Sequence, residues 1–265
     1  MQVITWNMQG GAASGESKWT FSVPNLLLGK DPTNSLSGPR TPADVLLLQE
    51  CGDTSTSVSE CLSAPQDGDW IGGKAPDLGS CEVSTGVWEM TSGRGVFPAR
   101  RPSAYVLFVK WGSRCNMAIL SATKPKGIGF VGNPKDANAR PSIAMAFSQS
   151  LIATAHGFSG NGNDVKGFVQ ATSQLATQCG ASGWFLSGDF NLAPAKLEGQ
   201  LTGIGSTSYV WPPGGATHKG ASQNALDYAV SSEKAPDKPV PPATEIIKSI
   251  STSDHFPVSF TVALS

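Results

Sequence analysis

The chain has 265 residues, of which 39% are apolar and 15% charged, and its formal net charge is −1. That is ample material for a core, and the near-neutral balance excludes a protein that draws nucleic acid through a global basic field. The charged fraction lies well below the roughly 25% of an average domain. Ser, Thr, Asn and 30 Gly must therefore cover much of the surface, as suits a secreted, loop-rich protein.

The sequence shows no basic–apolar–small leader and no apolar run near the about 18 residues of a membrane span. Its five cysteines include no Cys-x-x-Cys, which removes zinc-ribbon and thioredoxin readings, and an odd count leaves at least one thiol unpaired within the chain. Cys61 and Cys81 stand in a loop-like region and could bridge in an exported protein. Cys51, Cys115 and Cys179 sit in or beside apolar segments and read as buried thiols.

Residues 2–8 read as a short buried strand ending at Asn7, within Thr5-Trp6-Asn7-Met8-Gln9-Gly10. A glycine-rich turn over 10–15 leads to Glu16-Ser17-Lys18-Trp19. A short helix after Pro24 turns Leu26, Leu27 and Leu28 inward, with Gly29 as its cap, and 31–42 is a proline-containing loop. The near-continuous apolar run 43–49 reads as a strand covered on both faces, with Glu50 at its exit. From Gly52 to Ala99 no periodicity holds. A structureless loop of that length is unusual, so short strands are expected there at positions the pattern does not give. Arg94, Arg100 and Arg101 in and beside it read as a solvated face.

A clear strand spans 105–111. Arg114 and Arg140 then each precede a further apolar strand, and 151–157 forms the next, with His156 at its end. Asn161-Gly162-Asn163-Asp164 supplies a helix cap. Val165, Phe168, Val169, Thr172, Leu175 and Ala176 follow at helical spacing, giving a scaffold helix over 164–178. The strand ending Ser187-Gly188-Asp189-Phe190-Asn191 places an acid and an amide two positions apart, so both can face one polar target; an Asx-turn closing the strand is the plainer alternative. A short helix over 193–200, a loop carrying His218, a strand bearing Asp227 and a Pro/Lys loop at 234–242 follow. Ser253-Asp254-His255-Phe256-Pro257-Val258 leads into a last strand with Val258 and Phe260 on one face. No internal repeat is found.

Strand ends that deliver Asn7, Glu50, Asp189 with Asn191, and Asp254 with His255 resemble the endonuclease/exonuclease/phosphatase superfamily, Mg²⁺-dependent phosphodiesterases that include DNase I. The likeness is closer to the catalytic B subunit of cytolethal distending toxin and runs over nearly the whole chain. Glu16-Ser17-Lys18-Trp19 and the pattern Thr217-His218 … Leu226-Asp227-Tyr228-Ala229 carry it beyond the acids. The resemblance implies an α/β fold, a DNase I-like four-layer sandwich of two packed mixed β-sheets with outer helices, in one domain over 1–265.

The resemblance also implies Mg²⁺, with Mn²⁺ or Ca²⁺ in support, held by Glu50, Asn7 and Asp254. His255 would be the base, with Asp227, at the end of an adjacent strand, fixing its tautomer. Asp189 and Asn191 would orient the attacking water, and His156 would face the leaving side. Arg114 and Arg140 would neutralise phosphate and His218 would be a further substrate contact, with a loop residue beside the cleft as its plainer alternative. The residue types suit this chemistry in their own right. Mg²⁺ takes hard oxygen ligands, imidazole titrates near neutrality, and guanidinium forks onto phosphate. Scattered histidines with no His-x-x-x-His pair make a zinc hydrolase the weaker reading. The implied activity is a genotoxin-type nuclease that nicks double-stranded DNA in a target-cell nucleus after delivery by companion subunits. A phosphatase of inositol phospholipids using the same site is the first alternative, and a noncatalytic toxin homologue the second. The cysteines and the 52–99 segment fit the toxin's catalytic subunit least well.

Overall fold

The structure is a computed structural model that describes residues 1–10, 18–29, 41–90, 103–112, 114–202, 207–220, 224–234, 244–248 and 252–263. The expected 10–15 turn, most of the 31–42 loop, Arg94, Arg100, Arg101 and the 234–242 loop lie wholly or largely outside the described residues.

One mixed sheet contains β1 (Gln2–Asn7), β2 (Val45–Gln49), β3 (Glu82–Glu89), β4 (Ser103–Lys110), β5 (Met117–Ser121), β12 (Thr244–Ile246) and β13 (Val258–Thr261), in the order β12-β13-β1-β2-β5-β4-β3. The second contains β6 (Gly127–Val131), β7 (Ser142–Ala146), β8 (Ser150–Ala155), β9 (Gly183–Asp189), β10 (Tyr209–Trp211) and β11 (Asp227–Ser231), in the order β10-β11-β9-β8-β7-β6. Each sheet has one parallel pair at its centre, β1 with β2 and β8 with β9, among antiparallel neighbours. The C-terminal ends of those four strands face one edge of the sandwich. β13 runs antiparallel to β1 and β11 antiparallel to β9, so both begin at that edge. Asp227 thus stands at the start of its strand, not the end, paired in register with Asp189.

The apolar pattern explains the four layers. Val3, Leu47, Ile119, Ile152, Phe185 and Phe260 meet between the sheets. The alternate residues Ile4, Trp6, Leu46 and Leu48 face outward and are buried by α1 (Val23–Leu28) and Trp19. On the far side α3 (Val165–Gln178) and α4 (Pro194–Leu201) bury Leu186 and Tyr228. A strand covered on both faces carries apolar residues at every position, which is why 43–49 is continuous. Val258 and Phe260 share the central core, as their alternation predicts.

Several local expectations are corrected. Leu28 is only partly buried, while Gly29 caps α1 in the left-handed conformation at φ 64°. Asp164 stands at the N-cap position of α3, but its side chain makes no capping bond; the carboxylate instead accepts from Phe158 N (3.0 Å) and Asn133 Nδ2 (2.8 Å). Cys61 and Cys81 are both free thiols. They pack against different cores, Cys61 outside the first sheet and Cys81 toward the centre of the sandwich, which keeps them apart.

Among its described residues, 52–90, the unpatterned 52–99 region contains one long strand, β3, with the short helix α2 (Thr56–Ser59) and a 3-10 turn over Asp67–Asp69. Ser63 bridges to Thr85 on the free edge of β3, and Trp70 bridges to Ile128 on the free edge of β6. The segment therefore lies against one edge of each sheet, β3 and β6, where an open edge invites edge-to-edge association. Its pairing partners are distant and few, so no local periodicity marks it.

Gly188 lies where β9 passes close to β8, and a Cβ there would collide with the Ala155 carbonyl oxygen. Gly199 in α4 has open space around it. Gly188→Ala should lower stability by about 1–3 kcal/mol, the range for overpacking. Gly199→Ala should raise it by about 0.5–1 kcal/mol through helix propensity. Urea unfolding of the two variants checks both signs.

Candidate active site

The strand-end edge holds a cleft of about 250 Å³ lined by Asn7, Gln9, Glu50, Arg114, Cys115, Arg140, His156, Ser159, Asp189, Asn191, Asp254 and His255. All the predicted site residues except Asp227 and His218 line it directly. Those two stand immediately behind and beside it, through His255.

The first sheet delivers Asn7 at the end of β1 and Glu50 after β2. The second delivers His156 after β8 and Asp189 at the end of β9. Asn7 Nδ2 donates to Asp189 Oδ2 across the sheets at 2.9 Å. His156 Nε2 lies 3.6 Å from Glu50 Oε1 and 3.5 Å from Asp189 Oδ2. Below them the buried Gln49 amide joins Thr5 (3.0 Å) on one sheet to Thr154 (2.7 Å) on the other.

His255 is fixed from several directions. Ser253 Oγ donates to the Asn7 carbonyl (2.8 Å) and accepts from His255 N (3.1 Å), while the Trp6 indole donates to the His255 carbonyl (3.3 Å). Its Nδ1–H donates to the fully buried Asp227 Oδ2 at 2.7 Å. That leaves Nε2 facing Asp189 Oδ2 (3.7 Å) and Asp254 Oδ1 (3.9 Å). Thr217 Oγ1 accepts from the backbone N–H groups of Leu226 and Asp227, each at 3.0 Å, and so holds the start of β11.

Asp189 and Asn191 form the turn and the site at once. Asn191 lies beyond the strand with φ 49°, and its N–H donates to Asp189 Oδ1 at 3.0 Å, an Asx-turn. The simple i, i+2 strand alternation is therefore not what brings them together. Asn191 Nδ2 and Arg140 Nη1 both donate to the Gly157 carbonyl at 3.2 Å.

Arg114 Nε pairs with Glu50 Oε2 at 2.6 Å while its side chain stays 56% exposed, so the guanidinium retains donors for a ligand. The His218 ring meets His255 edge-on at 4.7 Å. Its Nδ1 accepts from Gly220 N (3.0 Å), which leaves Nε2 as the donor, 3.7 Å from Asp254 Oδ2.

Electrostatics follow from burial and charge. Burial alone would lower the His255 pKa, but Asp227, Asp189 and Asp254 outweigh it and raise it to about 9. Burial opposes ionisation of Asp189, yet His156, His255 and the Asn7 amide hold its carboxyl well below the usual range. Burial pushes the Asp227 carboxyl up, with the His255 contact working against it.

The donor set suits a hard cation. Glu50, Asp189 and Asp254 carboxylates share one cleft with the Asn7 amide oxygen, and Mg²⁺ needs only one or two carboxylates because it keeps several waters. Among the described residues, the trios of His, Cys, Asp or Glu with ligand atoms within 4.8 Å of one another are His218/Asp254/His255 and Asp189/Asp227/His255, and neither includes Glu50. A closed protein cage is thus not what Glu50 would contribute to.

Gln9, Lys18, Gln49 and Thr217 also build the site, beyond the residues that sequence reasoning assigns to it. A polar residue two positions beyond Asn7, repeating the Asp189–Asn191 spacing, is the available signal for Gln9. Lys18 and Thr217 stand in motifs that carry the family resemblance but with no role attached to them, and the buried joint Gln49 has no signal of its own.

Residues 4–255 match the Endonuclease/Exonuclease/phosphatase family. The chain is 28% identical over 271 residues to the B subunit of the Escherichia coli cytolethal distending toxin, covering 97% of this chain and 90% of that protein. It is 30% identical over 267 residues to the Salmonella typhi homolog of that B subunit, covering 98% and 88%. The crystal structure of the Haemophilus ducreyi cytolethal distending toxin superposes with a TM-score of 0.73 at 25% identity, over 98% of this chain and 96% of that one. The chain therefore belongs to the Endonuclease/Exonuclease/phosphatase family of phosphoester hydrolases, within the group of cytolethal distending toxin B subunits.

Proposed function

We propose that this protein is a Mg²⁺-dependent deoxyribonuclease that nicks double-stranded DNA at the strand-end cleft, one domain over 1–265 carrying the activity. The observation that carries the reading is the Asp227–His255 pair at 2.7 Å, poised beside Asp189, His156 and Glu50 in a cleft edged by two arginines.

Glu50, Asn7 and Asp254 would hold the metal, whose chemistry when bound is to offset phosphate charge and stabilise the leaving oxygen. His255 Nε2, in its neutral form, would take the proton from the attacking water, and Asp227 steadies the imidazolium that results. That neutral form requires the bound cation's charge to offset the Asp189 and Asp254 carboxylates, which otherwise, against burial and together with Asp227, raise the His255 pKa to about 9. Asp189 and Asn191 orient that water and a non-bridging oxygen. His156 faces the leaving side, its Nε2 already between Glu50 and Asp189. Arg114 and Arg140 supply fixed positive charge to the phosphate.

A long substrate is favoured over a single headgroup by what adjoins the cleft. Beyond His218 lies a larger groove of about 630 Å³, bordered by Lys219 and Lys248 with Glu245 as an acid on its wall. Local basic charge of this kind suits a phosphodiester backbone that continues past the reacting phosphate. Delivery to a target-cell nucleus extends the same reading; only its companion-subunit part draws on the relatives, one of which is named as a subunit of a toxin.

The test is conversion of supercoiled plasmid to nicked circles. Wild type should nick with Mg²⁺ and stop in EDTA. Glu50→Gln, Asp189→Ala and His255→Ala should each lose at least about a hundredfold, the lower end for general acid–base groups, with circular dichroism unchanged. Phosphate release from inositol phospholipid vesicles without nicking would instead establish the phosphatase. Near-wild-type nicking by His255→Ala or Asp189→Ala would remove the mechanism.

The His255 charge also predicts a pH dependence of stability. In EDTA the folded imidazole titrates at about 9, above the roughly 6.5 of an unfolded histidine. The stabilisation is therefore complete below the unfolded value and is lost as pH rises through the folded one. The Tm gap between wild type and His255→Gln should narrow from about pH 6 to about pH 10, and a constant gap would show that the imidazole is not held charged.

A further inference from the structure

Among the described residues, three that are not glycine have a left-handed backbone: Gln9 at φ 46°, Glu50 at 45° and Asn191 at 49°. All three line the cleft. Side chains resist this region, and it persists where the surroundings over-determine it, most often at working sites. Glu50 and Asn191 have tasks in the reading above. Gln9 has none, and burial does not account for its strain, because the residue is exposed.

Hydrogen bonds at its backbone, its side-chain amide and the flanking residues do account for it. Its N–H donates to Asn7 Oδ1 at 2.9 Å. Its side-chain amide forms a reciprocal pair with Asp254, Nε2 donating to Oδ2 at 2.7 Å and Oε1 accepting from Asp254 N at 3.2 Å. The flanking backbone is tied to the other metal-side strand, with Met8 N donating to the Gln49 carbonyl (2.8 Å) and Gly10 N to that of Glu50 (2.7 Å).

Beneath the turn lies Lys18, only 3% exposed. Its ammonium donates to the Met8 carbonyl and, at 3.4 Å, to that of Gln9. Burying a lysine is costly unless the charge is hydrogen-bonded, and the partners it finds are the two carbonyls that shape this turn. Asp254 helps keep it charged against the effect of burial.

We propose that Gln9 is a positioning residue, its amide clamping the Asp254 carboxylate at the cleft wall, and that Lys18 holds the turn from which the clamp projects. The Asp254 side chain is 38% exposed, and its contacts with Ser253 Oγ at 3.4 Å, His218 Nε2 at 3.7 Å and His255 Nε2 at 3.9 Å are all longer than the 2.7 Å bond from Gln9. The inference rests on the reading of Asp254 as a metal ligand. It assigns Gln9 the part that outer hydrogen-bond partners play for ligating carboxylates.

Gln9→Gly tests it, since glycine suits the left-handed backbone and removes only the clamp. The readout is Mn²⁺ affinity, followed by electron paramagnetic resonance of free Mn²⁺ on the purified proteins. Gln9→Gly should bind Mn²⁺ about tenfold more weakly while its Tm holds or rises, an outcome a merely structural residue would not give. In nicking assays its half-saturating Mg²⁺ should rise more than its rate at saturating Mg²⁺ falls. Adding Lys18→Met to Gln9→Gly should weaken Mn²⁺ binding little further, because Lys18 acts through the clamp. Equal Mn²⁺ affinities for wild type and Gln9→Gly, or no Mn²⁺ binding by wild type, would overturn the inference. A wild type that binds Mn²⁺ but does not nick would remove the nuclease reading and leave the Gln9 comparison standing.

Discussion

The cleft exists because two sheets are pressed together at one edge and joined there by polar contacts. His255, from the loop before β13, donates to Asp227 at the start of β11. Asn7 of β1 donates to Asp189 of β9, and His156 beyond β8 faces Glu50 beyond β2. Gln49 joins Thr5 to Thr154 one layer deeper. Each pair has one member on each sheet, so no sheet carries a working half by itself. Breaking a buried charged pair leaves its partner uncompensated, at about 3–5 kcal/mol, and the apolar core between the sheets is what keeps such pairs dry and aligned.

The central parallel pairs give this edge its chemistry. Parallel neighbours end at the same side, and antiparallel β11 and β13 begin there. Chain segments far apart in sequence thereby bring acids, amides and imidazoles into one cleft. Carboxylates concentrated at such a site raise the His255 pKa, and histidines in turn keep Asp189 ionised. Acid and base strengths are set by these mutual contacts and by burial. The strained backbones of Glu50, Asn191 and Gln9 follow the same logic, since strain is tolerated where the fold leaves no alternative.

Much of this was legible in the sequence, for identifiable reasons. Continuous apolar runs marked the central strands because both of their faces are covered, and polar residues at the exits of those runs marked the cleft. Val258 and Phe260 alternated as a sheet demands. The segment over 52–90 was not legible, because β3 is an edge strand of mixed polarity whose ladder partner β4 lies beyond the segment, and the rest is held by single bridges, Ser63 to Thr85 and Trp70 to Ile128. Asp164 read as a helix cap because caps and loop ties use the same residue type. Gln9 and Lys18 stayed hidden for another reason. An exposed amide and a buried lysine acquire meaning only when the turn at 8–10 is seen folded against Asp254.

The central claim is that Asp227 acts through His255 across the two sheets. A double-mutant cycle on plasmid nicking, with Asp227→Asn, His255→Gln and the two combined, tests it most directly. The account predicts that the double variant nicks no more slowly than His255→Gln alone, since Asp227 has no task once the imidazole is gone. Additive losses would contradict it, placing Asp227 in a role independent of His255 and dissolving the pair as the mechanism's base.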